Sequence, residues 1–514
     1  MRLSSKHANQ QVIEVTDFSG GLNTSTTEEQ IQDNQLAECV NFELQAITGL
    51  LKTVDGTQPV YRIPTESTYK LKSAAYDLLN KHIVLFADNG TIFSVPLSDL
   101  QDVRQIGRLT NNGNCVAATW EDGLLVASGG RLQYIAGFQL KTIATSPEKC
   151  KGSFTRSGRV VVFDDAKVTF SAVGDEDGWT DDTNDDSTSK WIEPGYKQGG
   201  KIIGLVNMSS DMLIIMDNGL LLRLVGEYPD WQVKEVARNI DCRSPYGFCS
   251  VLNTTYILGQ QSIYAINTTQ EYGDLKAGNV ANQVAKDLLD LNTLTKMRYI
   301  PSLNQIWMID GTENVLMLDV RVGSFFKRKF NARIVDVVGI DNLVYVIKEN
   351  GFDIISDASY TDEGKNLIYS LKAKTQISHY DYFVKRVVWA CTGYSETMHN
   401  VTMFLNGTIK TPCPVQNIIN GITPIYGNFD KVYTDTDYVF QNVKHNHVVY
   451  DNEYKNIFGD LDDVFNNPNP LIHYNAYAIY DHKVRLRDKA IRLTISGQGC
   501  KFIINKMKYD VVEV

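Results

Sequence analysis

Short apolar runs separated by polar turns recur along this chain, and the clearest example lies between Lys201 and Val225. Three apolar runs stand there, and the turn Asp217-Asn218-Gly219 separates the last two. Asn and Gly tolerate the positive φ that tight hairpin turns require, so this turn between apolar runs predicts a β-hairpin. Because the runs are almost continuously apolar, we expect strands in sheets that are covered on both faces.

The same unit recurs from about Ser73 to Ser356. Successive copies start roughly 35–50 residues apart, and a period near 40 residues with three or four strands per unit is typical of a β-propeller. The pattern therefore predicts an all-β fold with a β-propeller of six or seven blades. A stack of ordinary β-sandwiches is the alternative. The recognisable copies begin near Lys81, Val116, Ser153, Lys201, Phe248, Lys296 and Val335.

The regions on either side of the repeats differ from them, and they suggest three domains. Residues 1–70 are expected to form an N-terminal arm or docking segment, residues 71–364 the β-propeller, and residues 365–514 a C-terminal β-sandwich domain. In the arm, Thr26 and Glu29 have capping-box spacing, which predicts a short helix that ends near Cys39. In the last region longer alternating runs such as Val484–Ile495 replace the hairpin rhythm.

Two insertions interrupt the repeats. Asp274–Leu294 has apolar residues at helical spacing, which predicts a helix against the propeller rim or a neighbouring subunit. Gly174–Lys190 is strongly acidic. Oxygen-rich loops can bind Ca²⁺, but this one has no EF-hand register, so a solvated loop is expected.

Composition narrows the class of protein. The 514 residues carry 50 Lys and Arg against 60 Asp and Glu, a net charge of −10. The charge is uneven, because residues 1–364 sum to −13 and residues 365–514 to +3. An acidic body argues against a protein that grips phosphates. There is no apolar stretch long enough for a membrane segment and no signal peptide, so synthesis and assembly in a cytoplasm are expected. The eight scattered cysteines indicate reduced, buried thiols.

The sequence lacks the motifs of common enzyme classes. No phosphate-binding loop, dinucleotide fingerprint, nucleophile elbow or zincin motif is present. We therefore predict no catalytic, cofactor or metal site and expect a protein that is not an enzyme. A glycosidase carboxylate pair stays open, because carboxylates are plentiful and no pair stands out. His445 and His447 are interpreted as exposed polar positions on a strand, with a metal pair as the alternative.

The sharpest local pattern is basic and lies near the end of the chain. Strand periodicity places four basic residues on one face, with Arg492 following on the same strand. Asp488 is the single acidic residue between 483 and 508. One interpretation is a charged edge strand that blocks aggregation. The other is a basic face for an acidic partner surface or for passing phosphates. The four residues are Lys483, Arg485, Arg487 and Lys489.

With these residues in view, the chain resembles a known family, the β-propeller tail nozzle proteins of short-tailed bacteriophages. That family includes packaged-DNA stabilisation proteins and tail tubular B proteins. The order of the repeats Lys201–Val225 and Met297–Val320 and the basic close Lys483–Lys508 resembles its members in architecture. The opening is similar to that of many phage tail proteins, through Phe18–Asn23, Asn34-Gln35, Asn41-Phe42, Gly49–Lys52 and Gly56.

The resemblance implies a structural virion protein at the distal end of a tail. Such proteins form a homohexameric ring below the adaptor or head-to-tail connector proteins, and tail fibre or plug proteins are further partners. The ring's channel retains packaged DNA and conducts it during ejection, without sequence-specific binding and without catalysis. An acidic wall suits a channel along which DNA slides. The residues carried over are the docking turn Gly20, Gly21 and Asn23, and the basic strand.

Two further hypotheses come from other classes of protein. The abundance of Tyr and Trp on β structure suggests a carbohydrate-binding or carbohydrate-cleaving phage tail protein. A propeller scaffold of a cell, with no place in a virion, is the other.

Overall fold

The computed structural model describes residues 10–45, 49–208, 211–242, 244–268, 275–393, 400–406, 413–418, 446–450, 476–499 and 501–513. The chain forms two compact units. The first, which we call the propeller unit, comprises residues 58–317 and 332–355. The second, the terminal unit, comprises residues 1–57, 318–331 and 356–514.

The chain begins with six strands, of which the first five belong to the terminal unit. The helix predicted from Thr26 to Cys39 is wrong, since residues 24–34 form turns and Gln35–Val40 is a strand. Pairing with a distant strand outweighs the local capping signal there. The six strands are β1 Gln10–Val15, β2 Gly21–Leu22, β3 Gln35–Val40, β4 Phe42–Gln45, β5 Leu50–Thr53 and β6 Gly56–Arg62.

The propeller unit consists of seven blades within the described residues, which confirms the predicted fold and decides its blade number. Blades 1 to 5 are four-stranded antiparallel sheets. They are β7 Leu71–Asp77, β8 His82–Ala87, β9 Thr91–Pro96 and β10 Arg104–Arg108; β11 Val116–Trp120, β12 Gly123–Ala127, β13 Gln133–Ala136 and β14 Gln139–Thr142; β15 Gly152–Arg156, β16 Arg159–Phe163, β17 Val168–Phe170 and β18 Lys190–Ile192; β19 Ile202–Met208, β20 Asp211–Met216, β21 Leu221–Val225 and β22 Gln232–Ala237; and β23 Phe248–Val251, β24 Thr254–Leu258, β25 Ile263–Thr268 and β26 Leu275–Asn279.

Blades 6 and 7 complete the ring. In every blade the first strand is the innermost, and neighbouring inner strands contact one another from blade 2 round to blade 7 and blade 1. The inner strand of blade 1 also contacts the second strand of blade 2, so the ring is closed. Blade 6 begins with β27 Lys296–Ile300, β28 Gln305–Ile309 and β29 Asn314–Asp319. Blade 7 contains β31 Ile334–Ile340, β32 Leu343–Lys348 and β33 Gly351–Ser356. Between these two groups in the chain lies β30 Ser324–Lys329, which belongs to the terminal unit.

The N-terminal strand β6 closes the propeller from outside, because it is the fourth strand of blade 7. The amide of Ile63 donates a hydrogen bond to the carbonyl of Asn350 at 2.8 Å. Arg62 forms an ion pair with buried Asp353, whose second oxygen lies 2.5 Å from Lys348 Nζ. Joining the first and last strands of the unit ties its ends together, which makes the ring cooperative.

Apolar clusters fill the space between adjacent blades. The middle strands are buried along their whole length, for example β8, β12, β16 and β20 apart from its first residue. Each such side chain contributes about 1.5–3 kcal/mol when it is fully buried. Such clusters cover both faces of the sheets in blades 1 to 4, which is why the apolar runs there are nearly continuous.

The outermost strands escaped the sequence interpretation. Three strands were recognised in most units, and the fourth is polar and exposed, as in β22, where four of six residues are exposed. An edge strand needs no apolar partner on its outer side, so it lacks the hydrophobic signal of the inner strands.

The predicted helix between Asp274 and Leu294 is mostly wrong. Leu275–Asn279 is the strand β26, and helical structure is limited to a 3₁₀ turn, Asn282–Val284, and the short helix α1, Ala285–Leu289. Val284 and Leu288 are buried, as the helical spacing predicted. The apolar spacing was thus correct only for this last part of the stretch.

The acidic insertion is organised around a buried lysine. The ammonium of Lys190, 3% exposed, lies 2.9 Å from Asp181 Oδ1 and donates to the carbonyl of Asp182 at 2.5 Å. Arg159 donates to the carbonyls of Ser171 and Thr188, each at 2.6 Å. The side chains of Lys190 and Arg159 therefore satisfy carboxylate and carbonyl oxygens of the loop.

The terminal unit contains two sheets that share one long strand. The first part of β41 pairs with β37, and its last part pairs with β36 and β38. Strand β42 pairs with β37, β1 and β5, so the two ends of the chain lie in one sheet. The strands are β34 Thr361–Asp362, β35 Lys365–Asn366, β36 Ile368–Ala373, β37 Gln376–Gly393, β38 Asn400–Asn406, β39 Cys413–Ile418, β40 Asn446–Tyr450, β41 Ala476–Gln498 and β42 Phe502–Glu513.

Aromatic side chains pack between these two sheets. The ring of Phe42 on β4 lies 6.0 Å from that of Tyr369 on β36 and 5.8 Å from that of Phe502 on β42. Such packing is expected of a β-sandwich. The division of the chain differs from the predicted bounds of 1–70, 71–364 and 365–514, since the first 57 residues share a unit with the C-terminal strands.

Candidate functional site

The predicted docking turn is part of the packing of the terminal unit. Gly21 has φ +62°, and a Cβ there would lie 2.8 Å from the carbonyl oxygen of Phe325. A Cβ on Gly20 would lie 2.7 Å from Asn34 Oδ1. Gly21 therefore needs glycine for both its backbone conformation and its close packing, and Gly20 needs it for close packing alone.

Asn23, in the same turn, is buried and forms hydrogen bonds with neighbouring residues of the terminal unit. Its side-chain amide donates to Gln35 Oε1 at 2.8 Å, and its Oδ1 accepts from the amide of Ser25 and the hydroxyl of Thr26, each at 3.2 Å. Its own amide donates to the carbonyl of Leu36 at 2.9 Å. The structure therefore assigns Asn23 contacts inside the unit, and its predicted role in docking stays a prediction.

The predicted basic strand is the middle part of β41. The side chains of Lys483, Arg485 and Arg487 lie outside the described residues, and Lys489 is exposed. Along the backbone, Lys483 pairs with Arg386 and Leu486 pairs with Val384, which leaves one extra residue on β41. An uninterrupted period of two, on which the prediction of a single basic face depended, is absent at this point.

The basic residues that follow are engaged within the terminal unit. Arg492 Nη1 lies 2.8 Å from Glu28 Oε2, and Lys506 Nζ lies 2.5 Å from Glu14 Oε1. Lys501 and Lys508 form ion pairs with Asp55 and Asp510. Burial by itself would raise the pKa of Glu28, but its hydrogen bonds with Arg492 and Lys372 and the charges of both hold that pKa below its usual range. Arg492, Lys501 and Lys506 therefore join the C-terminal strands to the N-terminal part of the chain.

A further site, which the sequence interpretation missed, lies on the axis of the propeller. The inner strands of all seven blades enclose a cavity of about 340 Å³. Its wall presents polar and apolar surface in similar amounts, and Arg298 on β27 is among the residues that line it. The apolar part of the wall includes Ala74, Val116, Leu205, Phe248 and Val338.

Arg298 belongs to a buried charge cluster around Asp336 on β31, whose side chain is fully buried. Arg298 donates to Asp336 from Nε at 2.8 Å and from Nη2 at 3.2 Å. Lys296 Nζ lies 3.2 Å from Asp336 Oδ2, and the Ser73 hydroxyl donates to the same oxygen at 2.8 Å. The cluster therefore joins the inner strands of blades 6, 7 and 1.

Every acceptor position of Asp336 is used. The backbone amides of Ala74 and Val337 complete its hydrogen bonds, at 3.1 and 3.0 Å. Burial alone would raise the pKa of Asp336, but the charges of Arg298 and Lys296 outweigh it and hold that pKa well below the usual range. Burial lowers the pKa of Lys296, and Asp336 opposes this only in part. A saturated, ionised carboxylate is a structural anchor and a poor general base.

A weak signal for this cluster does exist in the sequence. Asp336 is a lone carboxylate within the apolar run 334–340, and Lys296 and Arg298 alternate with apolar residues on one short strand. A charge within an apolar run indicates a buried, paired group. The sequence cannot show which partner it takes, because Arg298 and Asp336 belong to different strands of different blades.

Other functional features are limited in the part of the chain that is described. It contains no cluster of three or more potential metal ligands among His, Cys, Asp and Glu. It contains no helix with the length and apolar character needed to cross a membrane. His445 lies outside the described residues, as does the side chain of His447 on β40.

Comparison with known proteins gives structural similarity alone. No protein-family model and no curated protein matches the chain. The WD40 β-propeller domain of Doa1 is similar at 11% identity and a TM-score of 0.40, over 59% of this chain and 97% of that one. BamB from Moraxella catarrhalis is similar at 12% identity and a TM-score of 0.38, over 61% and 92%.

The β-propeller domain of Cps50 (Swd1) from Myceliophteria thermophila is similar at 9% identity and a TM-score of 0.39, over 58% and 98%. The assignment of the fold rests on the strand arrangement described above. The class that this arrangement defines is an all-β protein with a seven-bladed propeller and a second β unit built from both ends of the chain.

Proposed function

We propose that this chain is a structural virion protein that forms the distal tail nozzle ring of a short-tailed phage. The observation that carries the proposal is the placement of the residues behind the family resemblance. Phe18, Leu22 and Phe42 are buried in the terminal unit, and β5 pairs with β42. The phage-like opening and the C-terminal strands are thus parts of one folded unit, which is what a shared architecture requires.

The proposed path of DNA lies outside the individual propeller. A cavity of about 340 Å³ on the propeller axis is far too small for a duplex. A channel between copies of the chain fulfils the proposed role, as in a cyclic homohexamer. The acidic residues 1–364, with a net charge of −13, favour sliding over binding, because like charges repel.

The proposal includes partners and a location. The ring would bind the tail adaptor or head-to-tail connector on one side and tail fibre or plug proteins on the other. It would assemble in the host cytoplasm and function in the virion tail. The inferred role is mechanical and involves no catalysis.

The test is the mass of the purified chain by light scattering, alone and with the cognate tail adaptor, followed by electron microscopy. The expected result is a ring of six times the 57.8 kDa chain mass with a central opening. A monomer at every concentration that docks to no adaptor would overturn the proposal. Release of saccharides from host envelopes by that monomer would favour the carbohydrate-cleaving alternative.

A double variant tests the basic strand within this proposal. Arg485→Glu with Arg487→Glu is expected to prevent ring or tail assembly while the propeller stays folded. The matched control is Lys276→Glu with Lys286→Glu, at exposed positions of the propeller unit, and it should leave assembly intact. Normal tails from the first variant would remove the basic strand from the mechanism.

A further inference from the structure

We propose that the axial cavity of the propeller binds a small organic monocarboxylate through Arg298. This inference is independent of the proposed role in a phage tail. It depends on three properties of the cavity: the net charge beside it, the unused hydrogen-bond donors of Arg298 and the apolar part of its wall.

The charge cluster beside the cavity has one positive charge in excess. Two cations, Lys296 and Arg298, face one carboxylate, Asp336. Among the described residues that line the cavity, Arg298 is the single charged one, and its side chain keeps 29% exposure. An exposed positive charge in a confined space attracts an anion more strongly than it would in bulk water, because the surroundings screen it less.

The hydrogen bonds of the cluster leave donors on Arg298 alone. Lys296 Nζ uses its three donors on the carbonyls of Lys72 and Val335, at 2.6 and 2.8 Å, and on Asp336. Arg298 uses Nε and one donor of Nη2 on Asp336. Its Nη1 has a distant contact of 3.5 Å with its neighbour's carbonyl. The Nη1 side of the guanidinium can therefore receive a carboxylate.

The position of the guanidinium is well defined before any ligand binds. Asp336 holds it from one edge, and the ring of Tyr246 lies 5.7 Å from the guanidinium carbon. Tyr246 also lines the cavity. A group that is already held in place loses little conformational freedom on binding, which favours affinity.

The wall decides between classes of anion. A single excess positive charge balances a monocarboxylate, whereas phosphate carries about −1.5 to −2 at neutral pH and would stay partly uncompensated. Leu205, Phe248 and Val338 give the cavity apolar surface that a hydrated inorganic ion cannot use. Ligand sites of this kind combine an apolar wall with a few polar groups that orient the ligand.

The experiment is calorimetric titration of the full-length chain with benzoate, an aromatic monocarboxylate. Benzamide serves as the neutral analogue and inorganic phosphate as the competing anion. We expect saturable binding of one benzoate per chain, at least tenfold weaker binding of benzamide, and no displacement by phosphate at equal concentration. Absence of benzoate binding, equal binding of benzamide, or equal displacement by phosphate would each overturn the proposal.

Variants locate the site. Arg298→Gln should weaken benzoate binding at least tenfold, whereas Arg238→Gln, at an exposed position of the same unit, should leave it unchanged. Val116→Phe fills the cavity and leaves Arg298 in place, so it tests the site even if Arg298→Gln fails to fold. It should abolish binding while near-native thermal unfolding is retained. Unchanged affinity in Val116→Phe would place benzoate elsewhere and overturn the proposal.

Discussion

Arg298 donates two hydrogen bonds to Asp336, and the pair joins the inner strands of blades 6 and 7 on the axis of the propeller. Ser73 of blade 1 donates to the same carboxylate. The ring is therefore closed twice at the junction of its first and last blades: outside by β6 in blade 7, and inside by this cluster. Both closures lie where the first and last strands of the propeller unit meet.

Removing the inner closure should destabilise the propeller unit. Asp336→Ala leaves two cations without their buried counter-charge, and loss of one partner of a buried ion pair costs about 3–5 kcal/mol. Urea unfolding followed by tryptophan fluorescence measures this, since five of the six tryptophans lie in the propeller unit. Glu235→Gln, which breaks an exposed pair with Arg238, is the control and should hardly move the midpoint. Equal midpoints for the two variants would contradict the closure role.

Alkaline pH should destabilise the fold through its buried thiols. Burial raises the pKa of Cys115 to about 11 and that of Cys249 to about 12. In the unfolded chain these thiols ionise near pH 8.5, so the folded state retains protons that the unfolded state loses. The stability is thus complete below about pH 8.5 and falls as the pH rises, by about 1.4 kcal/mol per pH unit for each thiol.

The measurement is the free energy of unfolding between pH 8 and 10 in the presence of a reductant. Cys249→Ala should be less stable at pH 8, yet its stability should decline less steeply with pH than that of the wild type. Parallel declines would show that Cys249 is not responsible for this linkage.

The glycine turn should prove essential to the terminal unit. Gly21→Ala places a Cβ in the left-handed region and within 2.8 Å of the Phe325 carbonyl oxygen. Gly323→Ala is the matched control, since it has φ +72° and open space around the added carbon. The control should cost about 1–2 kcal/mol from backbone strain alone, and Gly21→Ala should cost more. Thermal unfolding of the two variants gives the comparison, and a smaller loss in Gly21→Ala would be inconsistent with this packing.

The acidic insertion should open when its central cation is removed. Lys190→Met leaves the oxygens of Asp181, Asp182 and Thr188 without their shared donor. Without that cation the loop's carboxylates repel one another and the loop opens. Cleavage of residues 174–189 by a protease specific for acidic residues is therefore expected to accelerate severalfold. Lys149→Met, at an exposed position, is the control. Equal cleavage rates in the two variants would mean that Lys190 does not organise the loop.

The predicted helix from Thr26 to Cys39 shows how local signals can mislead. The spacing of Thr26 and Glu29 fits a helix start, yet Leu36 and Cys39 are buried on a strand that pairs with β36. A capping box is worth about 1 kcal/mol, and burial of two apolar side chains in a sheet is worth more. The strand partner lies more than 300 residues away in the chain, so no local window contains it.

The basic stretch Lys483–Lys508 near the end of the chain shows that local sequence also fails to reveal the partners of candidate site residues. Its composition was plain in the sequence, but the acidic partners Glu14, Glu28 and Asp55 lie more than 400 residues earlier. The prediction of a basic face at Lys483–Lys489 stays a prediction, and the structure places the later cations Arg492, Lys501 and Lys506 in ion pairs with these carboxylates. The axial cluster was missed for a similar reason, since its members lie on three blades.

The amino-acid sequence was enough to predict the inner strands of the blades, their tight turns and the repeat that makes a propeller, because these depend on neighbouring residues. Gly219, for example, has φ +81° in the hairpin turn that Asp217-Asn218-Gly219 predicted. The seventh blade, the closing strand β6, the joining of the chain's two ends and the charge cluster on the axis became known from the structure alone. Each of these depends on contacts between residues far apart in the chain, and such contacts leave no periodic trace in it.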